Sequence, residues 1–189
     1  MNTKEELEYY NRVYASSEEY RKNPLDSRYI NIWKDILRLT DESNETIIEI
    51  GCGSGQLARL LLDNGRNYIA GFDYSENAIK IAKDLNTQYS NLFSVKDIYK
   101  IKYNELKADT IICTEVLEHL EDDLFVIDVI PSGTRFIFSV PDFWYKSHKR
   151  IFKNILDIKT RYAGLEINNF YVHKTPANNT IFLVDSVIR

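Results

Sequence analysis

The chain is poor in cysteine, proline and glycine, with two, four and seven of them among 189 residues. The two cysteines, Cys52 and Cys113, cannot build a disulfide framework, and both lie in apolar runs, which favours buried thiols in a reducing compartment. No apolar run approaches the ~20 residues that a membrane span requires. The polar N-terminus offers no signal-peptide core. We therefore expect a cytoplasmic protein and disfavour secretion, membrane insertion and disorder.

The charge is mildly acidic overall and uneven along the chain. The formal net charge is −4, which argues against a surface that is basic throughout, as nucleic-acid binding would favour. Residues 142–161 nevertheless hold six basic and two acidic side chains, a local charge of +4, so the rest of the chain sums to −8. This basic segment is our candidate for recognition of another molecule.

Apolar periodicity predicts strands that alternate with helices. No repeat, low-complexity tract or linker divides the chain, so we expect one domain over 1–189, with a helical prefix (1–40) and a core (46–189). Strand-like runs alternating with helices indicate a doubly wound α/β fold with a mostly parallel sheet, and a final hairpin adds an antiparallel strand. The predicted strands are 46–50, 68–72, 91–95, 108–113, 134–140, 166–173 and 180–188. The predicted helices after the prefix are 56–63, 75–85, 120–129 and 149–162.

A glycine-rich turn follows the first predicted strand. Gly51, Gly53 and Gly55 would let the backbone turn tightly and approach a ligand that a Cβ would block. Asp73 ends the next strand, 20 residues after Gly53, where a carboxylate can accept both hydroxyls of a ribose. Gln56 stands where the dinucleotide fingerprint has Gly or Ala, which disfavours an NAD-linked oxidoreductase. No Lys-Ser/Thr follows the loop, so it is not a P-loop.

Several segments in order resemble the motifs of class I S-adenosylmethionine (SAM) methyltransferases. They are 49–55 (the glycine motif), 71–75 (the ribose motif), 96–98 (the adenine motif), 114–120, 131–134 and 139–143, with Ser132 departing from the usual Pro-Gly-Gly. The resemblance implies a Rossmann-like seven-stranded sheet and SAM as the cofactor. The implied cofactor ligands are Glu49, Gly51, Cys52, Gly53, Gly55, Gln56, Asp73, Tyr74, Asp97, Ile98 and Glu115.

The prefix resembles the N-terminus that folds over the methionine carboxylate in this superfamily. Tyr14, Tyr20 and Arg21 are the candidates for that contact. The alternative is an amphipathic helix that covers the edge of the sheet.

A cluster of carboxylates and histidines carries the candidate chemistry. Glu115, Glu118 and His119 are spaced i, i+3 and i+4, which predicts one helical face, and His148 is a possible fourth metal ligand. The set would suit a divalent ion such as Mg²⁺. It resembles the E-x-x-E-H segment of small-RNA 3′-end 2′-O-methyltransferases and of ubiquinone-pathway O-methyltransferases. Without a metal, Glu118 and His119 would cap and orient the loop.

His148 and the aromatic residues before it have two interpretations each. His148 would act as a general base or be a surface histidine in a basic loop. Phe143, Trp144 and Tyr145 would wall an acceptor pocket or be ordinary packing.

We predict a SAM-dependent methyltransferase that acts on a hydroxyl, or an amine, of a small-molecule acceptor. The catalytic candidates are Glu118, His119 and His148, and we expect a monomer or homodimer. The alternatives are a metal-dependent RNA 2′-O-methyltransferase, which is less favoured, and a catalytically idle SAM-fold binding subunit.

Overall fold

The structure, a computed structural model, describes residues 3–40 and 44–189. Contacts divide the chain into two compact units, Met1–Ile101 and Lys102–Arg189. The prediction of a single domain over 1–189 stays a prediction. Within the described ranges, no helix combines the length and apolar character needed to cross a membrane.

The first unit holds four helices and three parallel strands among its described residues. Its strands are short and parallel, and all four residues of the first are buried, as expected for a parallel sheet covered on both faces. Ser75 begins the fourth helix because its hydroxyl accepts from the N–H of Ala78 at 3.2 Å. The elements are α1 (Thr3–Ser16), α2 (Ile30–Leu39), β1 (Ile47–Ile50), α3 (Gln56–Asp63), β2 (Tyr68–Asp73), α4 (Glu76–Leu85) and β3 (Phe93–Val95).

In the second unit a central strand pairs with one parallel and one antiparallel strand, and a fourth strand pairs antiparallel with the latter. The central strand carries Phe136 and Phe138, both fully buried, with ring centroids 5.2 Å apart. Burial of side chains of this size contributes about 1.5–3 kcal/mol each. The elements are β4 (Thr110–Thr114), α5 (Asp123–Val129), β5 (Arg135–Pro141), α6 (Ile155–Arg161), β6 (Leu165–Lys174) and β7 (Thr180–Ile188).

The strands form one seven-stranded sheet in the described residues, in the order β3-β2-β1-β4-β5-β7-β6. The β1–β2, β2–β3 and β4–β5 pairs are parallel, whereas β7 runs antiparallel to β5 and β6. The predicted fold class, a mostly parallel doubly wound sheet with a C-terminal antiparallel hairpin, is confirmed.

Two predicted helices are shorter than expected. The one predicted over 120–129 begins at Asp123, because the carboxylate of Asp122 accepts from the N–H of Phe125 at 3.1 Å. The one predicted over 149–162 begins only at Ile155, where Asn154 caps the first turn. The predicted strand 91–95 is likewise shortened to β3, since a 3₁₀ turn over Thr87–Leu92 precedes it.

Candidate functional site

The loop that joins β1 to α3 turns through left-handed backbone. Gly51, Gly53 and Gly55 have φ of 73°, 51° and 70°, a conformation that costs residues with a Cβ roughly 1–2 kcal/mol. A Cβ on Gly53 would also lie 2.8 Å from the hydroxyl oxygen of Tyr14. Position 53 therefore requires glycine both for its backbone and for the close approach of Tyr14.

Asp73, at the end of β2, ties the glycine loop to the start of α4. Its Oδ2 accepts from the N–H of Gly53 at 2.9 Å, and its Oδ1 accepts from the N–H of Ser75 at 2.8 Å. Burial raises the pKa of this carboxyl to about 6. The structure thus places the predicted ribose acid against the loop. The backbone of Tyr74 also bonds to this carboxylate, whose oxygens offer about four acceptor positions, so one remains for a ligand hydroxyl.

Glu49 lies in β1, two residues before the loop, and is 2% exposed. Its carboxylate accepts from the hydroxyl of Tyr68 at 2.9 Å. Burial raises the pKa of Glu49 to about 8, and the charge of Asp73 acts in the same direction. A cationic group brought close to this carboxyl would lower the pKa and favour the charged form.

The helix α1 lies against the glycine loop and against Ser75 at the start of α4. Tyr14 reaches the glycine loop, and its ring packs on that of Tyr20 with centroids 4.4 Å apart. The side chain of Asn11 accepts from the hydroxyl of Ser75 at 2.6 Å. Burial, with the nearby Asp73 carboxylate, raises the pKa of the Tyr14 hydroxyl. The prefix therefore brings the hydroxyl of Tyr14 to the glycine loop.

Two further candidates hold α1 and the turn that follows it. The ring of Tyr74 packs on that of Tyr10, with centroids 5.7 Å apart. Arg21 donates to the carbonyl oxygens of Tyr14 at 3.3 Å and Ser17 at 3.1 Å, so its guanidinium faces the end of α1.

The side chain of Gln56 contacts both the same turn and the glycine loop. Its Nε2 donates to the carbonyl oxygens of Glu19 at 3.2 Å and Lys22 at 2.9 Å, and its Oε1 accepts from the hydroxyl of Ser54 at 3.3 Å. We predicted a direct cofactor contact for Gln56. That contact stays a prediction, and the structure shows in addition that the side-chain amide of Gln56 fastens the turn after α1. Sequence spacing did not reveal this role, because the partners lie 37 and 34 residues away.

The remaining cofactor candidates of this unit lie at the ends of β1 and β3. Cys52 is buried, and its N–H donates to the carbonyl of Phe72 at 2.9 Å. Asp97 follows β3, where its carboxylate accepts from the N–H of Tyr99 at 3.0 Å, and Ile98 beside it is half-buried.

In the second unit, Glu115 is not part of the compact cluster that the other three predicted metal ligands form. It has a left-handed φ of 55°, and its carboxylate accepts from the hydroxyl of Ser139 at 2.8 Å. The residues after it form a 3₁₀ turn, Leu117–His119, and not an α-helix. The prediction that Glu115, Glu118 and His119 share one helical face is therefore wrong.

Glu118, His119 and His148 form a compact cluster, in which one ligand atom from each lies within 4.8 Å of the others. Nε2 of His119 is 3.5 Å from Oε1 of Glu118. Nδ1 of His119 lies 3.3 Å from the carbonyl oxygen of Ser147, and Nδ1 of His148 lies 2.9 Å from that of Phe143. A carbonyl can only accept, so each Nδ1 donates and each Nε2 keeps a lone pair.

Burial dominates the electrostatics of this cluster. It lowers the pKa of His119 to about 4, with the His148 ring acting in the same direction, and it lowers the pKa of His148. Both imidazoles are therefore neutral at pH 7. Burial also raises the pKa of Glu118 well above its ordinary range, and the Glu115 charge adds to this.

Glu118 is fully buried, and neither of its carboxylate oxygens has a hydrogen-bond partner within 3–40 and 44–189. Native proteins rarely leave such a group unsatisfied, because its desolvation is costly. A cation would supply the missing partner. The residues thus fit a divalent ion, with Glu118, His119 and His148 as the protein ligands and Glu115 outside the set.

Aromatic side chains flank His148. The ring centroids of Phe143 and Tyr145 lie 5.7 and 5.9 Å from that of His148. Trp144 between them is 64% exposed and Tyr145 is 59% exposed. These two rings are therefore accessible to another molecule.

A family model described as "Methyltransferase domain" matches residues 19–168. The chain belongs to the class I SAM-dependent methyltransferases. This methyltransferase is 32% identical over 139 residues to the ubiquinone biosynthesis O-methyltransferase of Hydrogenovibrio crunogenus, a match that covers 68% of this chain and 54% of that one. The chain thus spans about half the length of that curated relative.

Solved structures share the fold of this methyltransferase at low sequence identity. N-methyltransferase NodS from Bradyrhizobium japonicum, in complex with S-adenosylhomocysteine, aligns with a TM-score of 0.73 and 21% identity over 100% of this chain and 99% of that one. Magnesium protoporphyrin IX methyltransferase from Synechocystis, also with bound S-adenosylhomocysteine, aligns with a TM-score of 0.68 and 18% identity over 86% and 84%. At such identities these likenesses show the fold alone.

Proposed function

We propose that this methyltransferase binds SAM through its first unit and transfers the methyl group to a hydroxyl of a small-molecule acceptor, with a divalent ion at Glu118, His119 and His148. The observation that carries the proposal is the buried, unpartnered carboxylate of Glu118 beside two neutral imidazoles. The similarity to a ubiquinone biosynthesis O-methyltransferase supports the choice of hydroxyl over amine. The buried cysteines agree with a cytoplasmic location.

The cofactor supplies an electrophilic methyl group. The protein's own residues therefore need to bind the cofactor, orient the acceptor and remove a proton from the acceptor hydroxyl. Asp73 would accept the ribose hydroxyls, and the carboxylate of Glu49 would favour a cationic ligand. The adenine would lie against Asp97 and Ile98. The tyrosines of the prefix, Tyr14 and Tyr20, would close the loop from above.

The second unit would orient and activate the acceptor. A bound divalent ion lowers the pKa of a hydroxyl that coordinates it. Glu118 would contribute the negative charge, and His119 and His148 would each contribute a neutral nitrogen. Trp144 and Tyr145 are exposed, the ring of Tyr145 lies near that of His148, and both would contact the acceptor.

The ligand set changes which ion we expect. Two imidazoles and one carboxylate suit Mn²⁺, Fe²⁺, Co²⁺ or Zn²⁺ better than Mg²⁺, which prefers oxygen ligands. Because Glu115 is not part of the compact cluster, the oxygen share of the ligand set is smaller than the sequence indicated. We therefore propose a transition-metal ion in place of the predicted Mg²⁺.

Calorimetric titration with SAM tests the cofactor, and release of S-adenosylhomocysteine in the presence of phenols, catechols and amines tests methyl transfer. No SAM binding would overturn the assignment of the first unit. SAM binding without turnover on any acceptor would favour the idle-subunit alternative.

Thermal unfolding of the chelator-treated protein tests the ion. Mn²⁺ or Co²⁺ is expected to raise the melting temperature more than Mg²⁺ does, because a ligand that binds only the folded state stabilises it. Glu118→Gln is expected to abolish this shift. The exposed neighbour Glu121 provides the matched control, since Glu121→Gln should leave the shift intact. Equal shifts in both variants would contradict the proposed site.

A further inference from the structure

The 3₁₀ turn that carries Glu118 and His119 has two backbone hydrogen bonds of its own, at 2.9 and 3.3 Å, and residues 147–150 hold it in addition. The N–H of Lys149 donates to the carbonyl of Glu118 at 2.7 Å, and the carbonyl of Ser147 accepts from the ring of His119 at 3.3 Å. His148 lies in the same segment. One stretch of chain therefore supplies a ligand of the cluster and also contacts the turn that carries the other two.

Arg150 makes the most extensive contact with this turn. Its Nη1 donates to the carbonyl oxygens of Leu117 and Leu120, both at 2.6 Å, and its Nη2 donates to that of Glu121 at 3.1 Å. These carbonyls lie on either side of Glu118 and His119 in sequence. The carbonyl of Leu117 also accepts from the N–H of Leu120 at 3.3 Å, and a guanidinium fork can contact several such carbonyls at once.

A buried carboxylate fixes the other side of the guanidinium. Nε of Arg150 is 3.3 Å from Oδ2 of Asp123, which is fully buried. Asp123 also accepts from Arg161 at 2.5 Å and from the hydroxyl of Tyr162 at 2.8 Å. The Arg150 side chain, 16% exposed, is thus held from both ends.

We propose that Arg150 is a positioning residue that holds Glu118 and His119 at metal-binding distance from His148. This inference rests on the proposed metal-assisted function. The guanidinium touches none of the three ligand side chains through a hydrogen bond and acts through the backbone of the turn. A lysine ammonium at this position cannot span three carbonyls and the Asp123 carboxylate in one plane.

The test is Mn²⁺ affinity, measured on the full chain by electron paramagnetic resonance of free Mn²⁺ after chelator treatment. Arg150→Lys is expected to weaken Mn²⁺ binding by about tenfold or more, the size typical of lost outer contacts around metal ligands. Its SAM affinity should equal that of the wild type. Arg38→Lys makes the same substitution on an exposed face of α2 and should change neither affinity.

The outcomes separate this inference from the function beneath it. If the wild type binds Mn²⁺ and Arg150→Lys binds it equally well, the positioning role is overturned and the metal site stands. If the wild type binds none of the transition-metal ions tested, the proposed function fails and the inference fails with it.

A purely structural role for Arg150 gives a different result from positioning. It would lower the melting temperature of Arg150→Lys while leaving Mn²⁺ affinity, measured well below that temperature, unchanged. Chemical rescue covers a variant that folds poorly. Millimolar ethylguanidinium is expected to restore Mn²⁺ binding to Arg150→Ala, and recovery of folding without recovery of Mn²⁺ binding would overturn the proposal.

Discussion

Two carboxyl groups in this protein have pKa values above the ordinary range because they are buried. Glu49 has a pKa near 8 and Asp73 near 6, each raised chiefly by burial and each held by specific donors. Such groups bind protons more tightly in the folded chain than in the unfolded one. Burying these carboxyls near the glycine loop disfavours their charged forms, and a cationic cofactor with ribose hydroxyls would favour those forms again.

Glu49→Gln is expected to stabilise the cofactor-free protein as the pH rises. Because the folded pKa of Glu49 is raised, its contribution to stability is complete below the unfolded value of 4.5 and is lost as the pH rises to about 8. A glutamine does not ionise, so at pH 7 the free energy of unfolding of the variant should exceed that of the wild type by on the order of 3 kcal/mol. Its Oε1 can still accept from Tyr68.

Urea unfolding from pH 5 to pH 8 measures the difference. The gap between variant and wild type should widen steadily with pH, whereas the exposed Glu166→Gln should track the wild type throughout. A constant gap over this range would show that Glu49 does not titrate within it.

At the scale of elements, the prefix is fastened to the cofactor loops at separate points. Asn11 binds the start of α4, Tyr14 lies on the glycine loop, and Gln56 binds the turn after α1. The last of these contacts uses a side chain of α3. The position of the prefix is therefore linked to the element that the glycine loop begins.

Gln56→Ala is expected to loosen the prefix without unfolding the sheet. Loss of two hydrogen bonds of about 1 kcal/mol each should speed amide exchange in α1 and in the turn Glu18–Arg21 by roughly 5- to 30-fold. Exchange in β1 should be unchanged, and SAM should bind more weakly. Hydrogen–deuterium exchange with mass spectrometry measures the effect, with the exposed Gln88→Ala as the control. Unchanged exchange in α1 would refute the fastening role of Gln56.

Local patterns predicted the elements whose residues contact close neighbours in sequence. The strand, glycine turn and helix around β1 and α3 follow from apolar runs and glycine punctuation. The turn at Glu118 could not be predicted in this way, because its carbonyls accept hydrogen bonds from Arg150, about 30 residues later. The partners of Gln56 were hidden for the same reason. The sequence predicted a cluster of carboxylates and histidines here. It did not predict the left-handed backbone at Glu115, which is not part of the cluster.

At the scale of the whole molecule, the basic segment 142–161 is less available than its charge suggests. Lys149 pairs with Glu121 at 2.5 Å, and both Arg150 and Arg161 contact the buried Asp123. Three of its six cations are thus committed to acidic groups of their own unit. The remainder of the chain carries −8.

We therefore expect little RNA binding. Fluorescence anisotropy with a labelled single-stranded RNA should show no saturable binding at physiological salt, because few cations are available to release counterions from phosphates. Tight binding that weakens steeply as salt is added would instead support the RNA 2′-O-methyltransferase alternative. Heparin provides a control for non-specific attraction to polyanions.

The contact between Tyr14 and Gly53 limits how parts of this protein can be exchanged with relatives. A prefix taken from another methyltransferase would meet a loop shaped around one particular tyrosine hydroxyl, and a loop with a side chain at position 53 would collide with that hydroxyl. The two segments, 39 positions apart in sequence, therefore need to be exchanged together. Chimeras that transfer both together should retain SAM binding, whereas those that transfer either alone should lose it.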